Sequence, residues 1–108
     1  MVSGTGLVRG RVYAAVLTHI GVEKYFVVVS NNRRNRHFEQ VLAVRVTTTP
    51  KPELPSIAEL GTTEVVSGRV VCDDVVELYP DEVRRDLGAL SPAAMARIGT
   101  ALKAALGL

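Results

Sequence analysis

The segment Glu23–Val46, "EKYFVVVSNNRRNRHFEQVLAVRV", decides how this chain is read. Its apolar run Tyr25–Val29 is aromatic and β-branched. A run of that kind, without polar alternation, predicts a strand covered on both faces. It ends at Ser30-Asn31-Asn32, and Arg33, Arg34, Arg36 and His37 follow at once. A second apolar stretch, Val41–Thr49, then begins. Guanidinium groups are not buried without partners, so residues 31–37 read as a loop that projects its charge away from two core strands.

Upstream, Gly10–Leu17 reads as another strand, with Val12, Ala14 and Val16 on one face, and Gly21 marks a turn. Residues 1–6, "MVSGTG", read as a loose, flexible terminus. Downstream, Arg45 interrupts the third strand, so one face there must meet water or an anion. Pro50, Pro52 and Pro55 break regular structure and predict a long loop over 49–62. Thr63–Val66 and Arg69–Tyr79 read as two more strands joined at Ser67-Gly68. Asp81–Arg85 reads as a short helical turn. Ser91 is a good N-cap, Pro92 suits the first helical position, and Met95, Ile98, Leu102, Ala105 and Leu106 form an apolar stripe. Gly107 is a stop signal, giving a C-terminal helix over 91–106. Strands followed by a helix predict a mainly β fold: an antiparallel sheet or small barrel of five or more strands, with the helix packed against it.

The chain has 108 residues, which fits a single domain spanning 1–108. Its net charge is only +2, but residues 1–50 hold seven Lys/Arg against two acids, and residues 51–108 hold six against nine. The basic half is therefore the expected contact surface for a polyanion, against the simpler reading of a solvated basic hairpin. The single cysteine, Cys72, excludes an internal disulfide and a multi-cysteine zinc site. No signal peptide is visible and no apolar run approaches the ~18 residues of a membrane span, so a cytoplasmic protein is expected. There is no glycine-rich phosphate loop, no histidine pair at metal-ligand spacing and no nucleophile elbow. No cofactor and no metal are implied.

What remains is a set of polar groups at strand ends. His19 and Lys24 flank the first turn, Thr47, Thr48 and Thr49 end the third strand, and Asp73 and Asp74 interrupt the last. Each has a structural reading. Threonines are ordinary β formers, a lysine guards a strand edge, and two adjacent aspartates cannot both face a core.

Taken together, "GRVYAAVL", "EKYFVVVSNN", "VLAVRVTT", "VVCDDVVELY" and "DLGALSPAAMARIGTALKAAL" resemble the MazF/PemK (Kid-like) toxins of type II toxin–antitoxin systems, over about residues 7–106. The resemblance implies a small SH3-like barrel with a C-terminal helix, paired as a homodimer. It implies a metal-independent, sequence-specific endoribonuclease that cuts single-stranded RNA and is silenced by a cognate acidic antitoxin. The implied chemistry is attack of the RNA's own 2′-hydroxyl on the adjacent phosphate. That reaction needs a base, positive charge at the phosphorane and a donor to the leaving oxygen.

The family's arginine before the second strand falls on Lys24, which keeps the charge but loses the bidentate fork. Its threonine falls on Thr47, with Thr48 beside it. Arg45 stands where a proline usually precedes that threonine, and can restore a guanidinium. The Arg-Cys-Asp run of some members becomes Val71-Cys72-Asp73, keeping the acid, with Arg69 two residues earlier. His19, in the first loop, is placed to move a proton. The resemblance therefore implies Lys24, Thr47, His19 and Asp73 as catalytic, and Arg33, Arg34, Arg36, His37, Arg45, Thr48 and Arg69 as RNA-binding. Tyr13, Tyr25 or Phe38 would stack on bases, with Phe26 in the core. Two rival readings stay open: a CcdB-like DNA gyrase poison, whose expected terminal tryptophan is missing from this chain, and a non-catalytic RNA- or peptide-binding barrel.

Overall fold

The computed structural model describes residues 4–108. Its strands are β1 (Arg11–Val16), β2 (Glu23–Val28), β3 (Val41–Thr47), β4 (Ile57–Glu59), β5 (Arg69–Leu78) and β6 (Val83–Ala89). Its helices are α1 (Asn32–Asn35) and α2 (Pro92–Leu106). All six strands form one antiparallel sheet in the order β4-β5-β3-β2-β1-β6.

Side chains alternate across this sheet, and both faces are buried. One face carries Val12, Val27, Val44, Val46, Val70 and Cys72, and packs against Ala94, Ile98 and Ala101 of α2. The other carries Tyr13, Ala15, Leu17, Phe26, Val28, Val41, Ala43 and Leu78. Leu7, Val76 and Val83 pack against this second cluster. One antiparallel sheet of six strands with a helix packed on it is within what the residue pattern predicts. α2 starts where Ser91 Oγ accepts a hydrogen bond from Ala94 N and stops at Gly107, whose φ of 71° a side chain would strain.

Four expectations change. Residues 49–62 are not wholly loop, because Ile57–Glu59 pairs with β5 as the edge strand β4. Thr63–Val66 is not a strand: Glu64 instead accepts hydrogen bonds from Ser91 N (2.9 Å) and Ser91 Oγ (2.6 Å), which ties this loop to the start of α2. The helical turn expected over Asp81–Arg85 is a 3₁₀ turn at Pro80–Glu82, after which Val83–Ala89 joins the sheet beside β1. The cationic loop contains a four-residue helix, α1. Of the terminus expected to be loose, residues 1–3 lie outside the described residues. Thr5 is held, its N and Oγ1 both donating to Asn35 O at 3.0 and 3.1 Å.

Gly68 fixes the turn into β5. Its φ is +109°, and a Cβ there would lie 2.3 Å from Thr47 O. Gly61, in the same connection, faces open space. Gly68→Ala should therefore destabilise the fold by roughly 1–3 kcal/mol from backbone strain alone, with the clash adding to it. Gly61→Ala should leave the urea midpoint nearly unchanged. Equal midpoints for the two variants would contradict this packing of Gly68 against Thr47.

Candidate active site

The site begins with strand register. β2 and β3 pair Tyr25 with Val46. One step further along that antiparallel register sets Lys24 across from Thr47. Both line a cleft of about 570 Å³, whose walls also include Tyr25, Thr48, Thr49 and the 65–67 loop. Thr47 Oγ1 accepts a hydrogen bond from Thr49 N at 3.1 Å, which fixes the turn and leaves the hydroxyl hydrogen free to donate. The neighbouring acid, Glu23, is held by Arg85 at 2.6 Å, and Lys24 forms no ion pair among the described residues.

Lys24 also borders a second hollow of about 280 Å³, lined by Arg45, Asp73, Asp74, Ile20 and Phe26 among others. A large bulge builds it. Val44 pairs with Val75 while its neighbour Arg45 pairs with Val71, so Cys72, Asp73 and Asp74 have no partner on β3. The bulge answers how two adjacent aspartates fit this strand: both reach solvent. Asp73 accepts from Ser56 Oγ at 2.7 Å, and Asp74 lies 3.6 Å from Arg45 Nη2. Arg45 Nε is buried with no hydrogen-bond partner among the described residues. Such a donor costs about 1–3 kcal/mol, so this guanidinium is under-satisfied in the free protein. Cys72 faces the α2 side, and burial, with Asp73 beside it, pushes its thiol up to about 11. It is a core residue and not a nucleophile.

Lys24, Thr47, Thr48, Arg45 and Asp73 are thus brought to one end of the β2–β3 pair. Arg69 is nearby but occupied: it donates to Thr48 O (3.0 Å), Thr49 O (2.9 Å) and Glu59 (2.9 Å), holding the rim of the cleft. His19 is not with them. It lines a separate hollow with Thr18, Tyr79 and Glu82. Arg33, Arg34, Arg36 and His37 sit on and beside α1, at the opposite end of the same two strands. Lys24 to Val28 alone spans about 13 Å at ~3.3 Å per residue. Tyr13 is buried and cannot stack on a base, Tyr25 lines the cleft, and Phe38 is exposed. The wall supplied by Val65, Val66, Ser67 and Leu87 has no signature in the sequence, since it arrives from distant positions. Among the described residues no three His, Cys, Asp or Glu side chains gather as metal ligands, and no helix is long and apolar enough to cross a membrane.

Residues 8–106 match the model of the PemK-like, MazF-like toxins of type II toxin–antitoxin systems. The chain belongs to that family. It is 42% identical over 100 residues to endoribonuclease MazF1 of Mycobacterium bovis, covering 93% of this chain and 92% of that one. Endoribonuclease MazF4 of Mycobacterium tuberculosis matches to the same extent. A solved mycobacterial endoribonuclease in complex with its cognate antitoxin superposes with a TM-score of 0.88 at 41% identity, over 95% of this chain and 97% of that one. MazF of Deinococcus radiodurans, at 22% identity and a TM-score of 0.79 over 94% and 97% of the two chains, shares the fold.

Beside His19, Glu82 closes the β1–β2 turn. Burial pushes its carboxyl up, but hydrogen bonds from Tyr79 N, Thr18 N and Thr18 Oγ1, with His19 close by, outweigh burial and hold it below the usual glutamate range. A depressed folded-state value adds stability above the unfolded value of ~4.3, and that stability is lost as pH falls through the folded one. Glu82→Gln should therefore be less stable than the parent near pH 7, and should lose less stability on acidification to about pH 3. Parallel urea titrations of the two proteins check this; identical pH slopes would count against it.

Proposed function

We propose that this chain is the ribonuclease of a toxin–antitoxin pair, cutting single-stranded RNA at the Lys24–Thr47 end of the sheet. The carrying observation is that an unpaired ammonium and a free hydroxyl hydrogen face one cleft from adjacent strands, in a member of this family. The named relatives are endoribonucleases, which favours this reading over a gyrase poison or a non-catalytic barrel.

In the reaction, the 2′-oxygen bonds to the adjacent phosphorus and the bond from phosphorus to the 5′-oxygen breaks. The products are a 2′,3′-cyclic phosphate and a 5′-hydroxyl. Charge builds on the non-bridging oxygens as the phosphorane forms, and fixed cations and donors are worth most at that moment. Lys24 supplies the charge and Thr47 a hydroxyl donor. Arg45, bordering the same strand end, gives the guanidinium fork that a lysine lacks, and phosphate oxygens would satisfy it. Asp73, one of the two bulge carboxylates lining the hollow beside Lys24, takes the 2′-proton, and the departing 5′-oxygen takes a proton from water in the open cleft. Thr48 lines the path of the strand, and Arg69 positions it by holding the Thr48–Thr49 backbone. His19 receives no role, because it opens onto a different hollow.

The same cationic end suits the acidic tail of an antitoxin, by charge complementarity. The family resemblance supports a cytoplasmic homodimer, which sedimentation of the purified chain would test. For the reaction itself, the chain is incubated with long single-stranded RNA in EDTA and the ends are mapped. Discrete cuts ending in cyclic phosphate are expected. Lys24→Ala and Thr47→Ala should each slow cleavage by ~100-fold or more, as loss of one transition-state donor does. Unchanged rates in both variants would remove this site.

A further inference from the structure

We propose that the outward face of α1 is a second single-stranded RNA surface, gripping the strand away from the cut; this builds on the ribonuclease reading above. The first observation is charge left unpaired on purpose-built backbone. Arg11, Arg45, Arg69 and Arg85 each have a carboxylate partner. Arg33, Arg34 and Arg36 have none among the described residues, and Met1–Ser3, outside them, carry no acid. Arg33, Arg36 and His37 are exposed, and Glu39 is the one carboxylate in the segment 31–40.

The second observation is the rigidity beneath them. Asn35 is buried, accepting from Ser30 Oγ at 2.6 Å and donating to Ser30 O at 3.0 Å, while its carbonyl receives both Thr5 bonds. Asn31 caps α1 through Arg34 N at 2.8 Å. The arginines are therefore presented on a fixed frame, with the ordering cost already met on folding.

The third observation separates RNA from an acidic protein tail. Phe38 is 50% exposed, and the Arg34 guanidinium stacks 4.5 Å from its ring centroid while also donating to Gln40 O. An exposed aromatic with one guanidinium stacked on it, in a segment that also exposes Arg33 and Arg36, is a platform for a base with phosphate contacts nearby. A carboxylate tail has no use for the ring.

The test uses a long, 2′-O-methylated single-stranded RNA, which binds but cannot be cut. Its affinity is followed by fluorescence anisotropy across salt concentrations. The Arg33→Ala/Arg36→Ala double variant should bind several-fold more weakly and lose about 1.4 from the slope of log affinity against log salt, at ~0.7 per phosphate contact. Phe38→Ala should weaken binding by roughly fivefold or more. Both variants should melt with the parent, since the side chains removed are exposed. Lys24→Ala should keep the α1-dependent slope while losing cleavage. Cleavage that survives Lys24→Ala, beside a slope that still falls in the double variant, removes the ribonuclease site and keeps this surface. An unchanged slope in the double variant overturns the proposal. So does a double variant that binds RNA normally but no longer binds a polyglutamate peptide, which would assign the surface to an acidic protein.

Discussion

Both faces of the β2–β3 pair must be dry, and the rest of the molecule arranges itself around that requirement. Phe26 and Val28 point into one cluster and Val27 into the other, so the middle of the pair has no place for a charged group. Polar chemistry is driven to the two ends. At one end stand Lys24 and Thr47; at the other stand α1 and its arginines. The separation of the Lys24 cleft from the α1 cations follows from burial, before any consideration of RNA.

The exception to a dry centre is Arg45, and the bulge in β5 is what accommodates it. Between Val44↔Val75 and Arg45↔Val71 three residues of β5 have no partner on β3, Cys72 turning into the core and Asp74 coming within 3.6 Å of the guanidinium. That distance is long for a charge-assisted hydrogen bond, and Nε is left with nothing. A half-buried arginine so poorly paired adds little to the stability of the sheet.

The sequence made legible whatever local pattern governs. The apolar run of β2, the cap and stripe of α2, and the strand reading of β1, β3 and β5 all rest on short-range periodicity or on a cap, and all are found. The family resemblance named Lys24 and Thr47, and it is the β2–β3 register that sets them across from each other. What was not legible depends on contacts between distant segments. Thr63–Val66 has the composition of a strand, but Glu64 is drawn to Ser91, 27 positions away, and the backbone follows it. Val83–Ala89 is charged and glycine-containing, and becomes an edge strand because β1 offers it a free row of hydrogen bonds. The placing of the candidate cations at two ends was legible, since Lys24 precedes the apolar run of β2 and Arg33, Arg34, Arg36 and His37 follow it.

The replacement of a family arginine by Lys24 is best understood with this geometry in view. A lone ammonium offers charge without direction, and a phosphorane needs two equatorial oxygens held at once. A guanidinium one strand over can share that task, but only if it is not already spent on a carboxylate. Arg69 is spent: three acceptors hold it, and it shapes the cleft from behind. Arg45 is held only loosely, with Asp74 3.6 Å from Nη2 and nothing on Nε, and it shares a hollow with Lys24. Arg45 and Lys24 thus border one hollow from adjacent strands, and the guanidinium there keeps an unpartnered Nε.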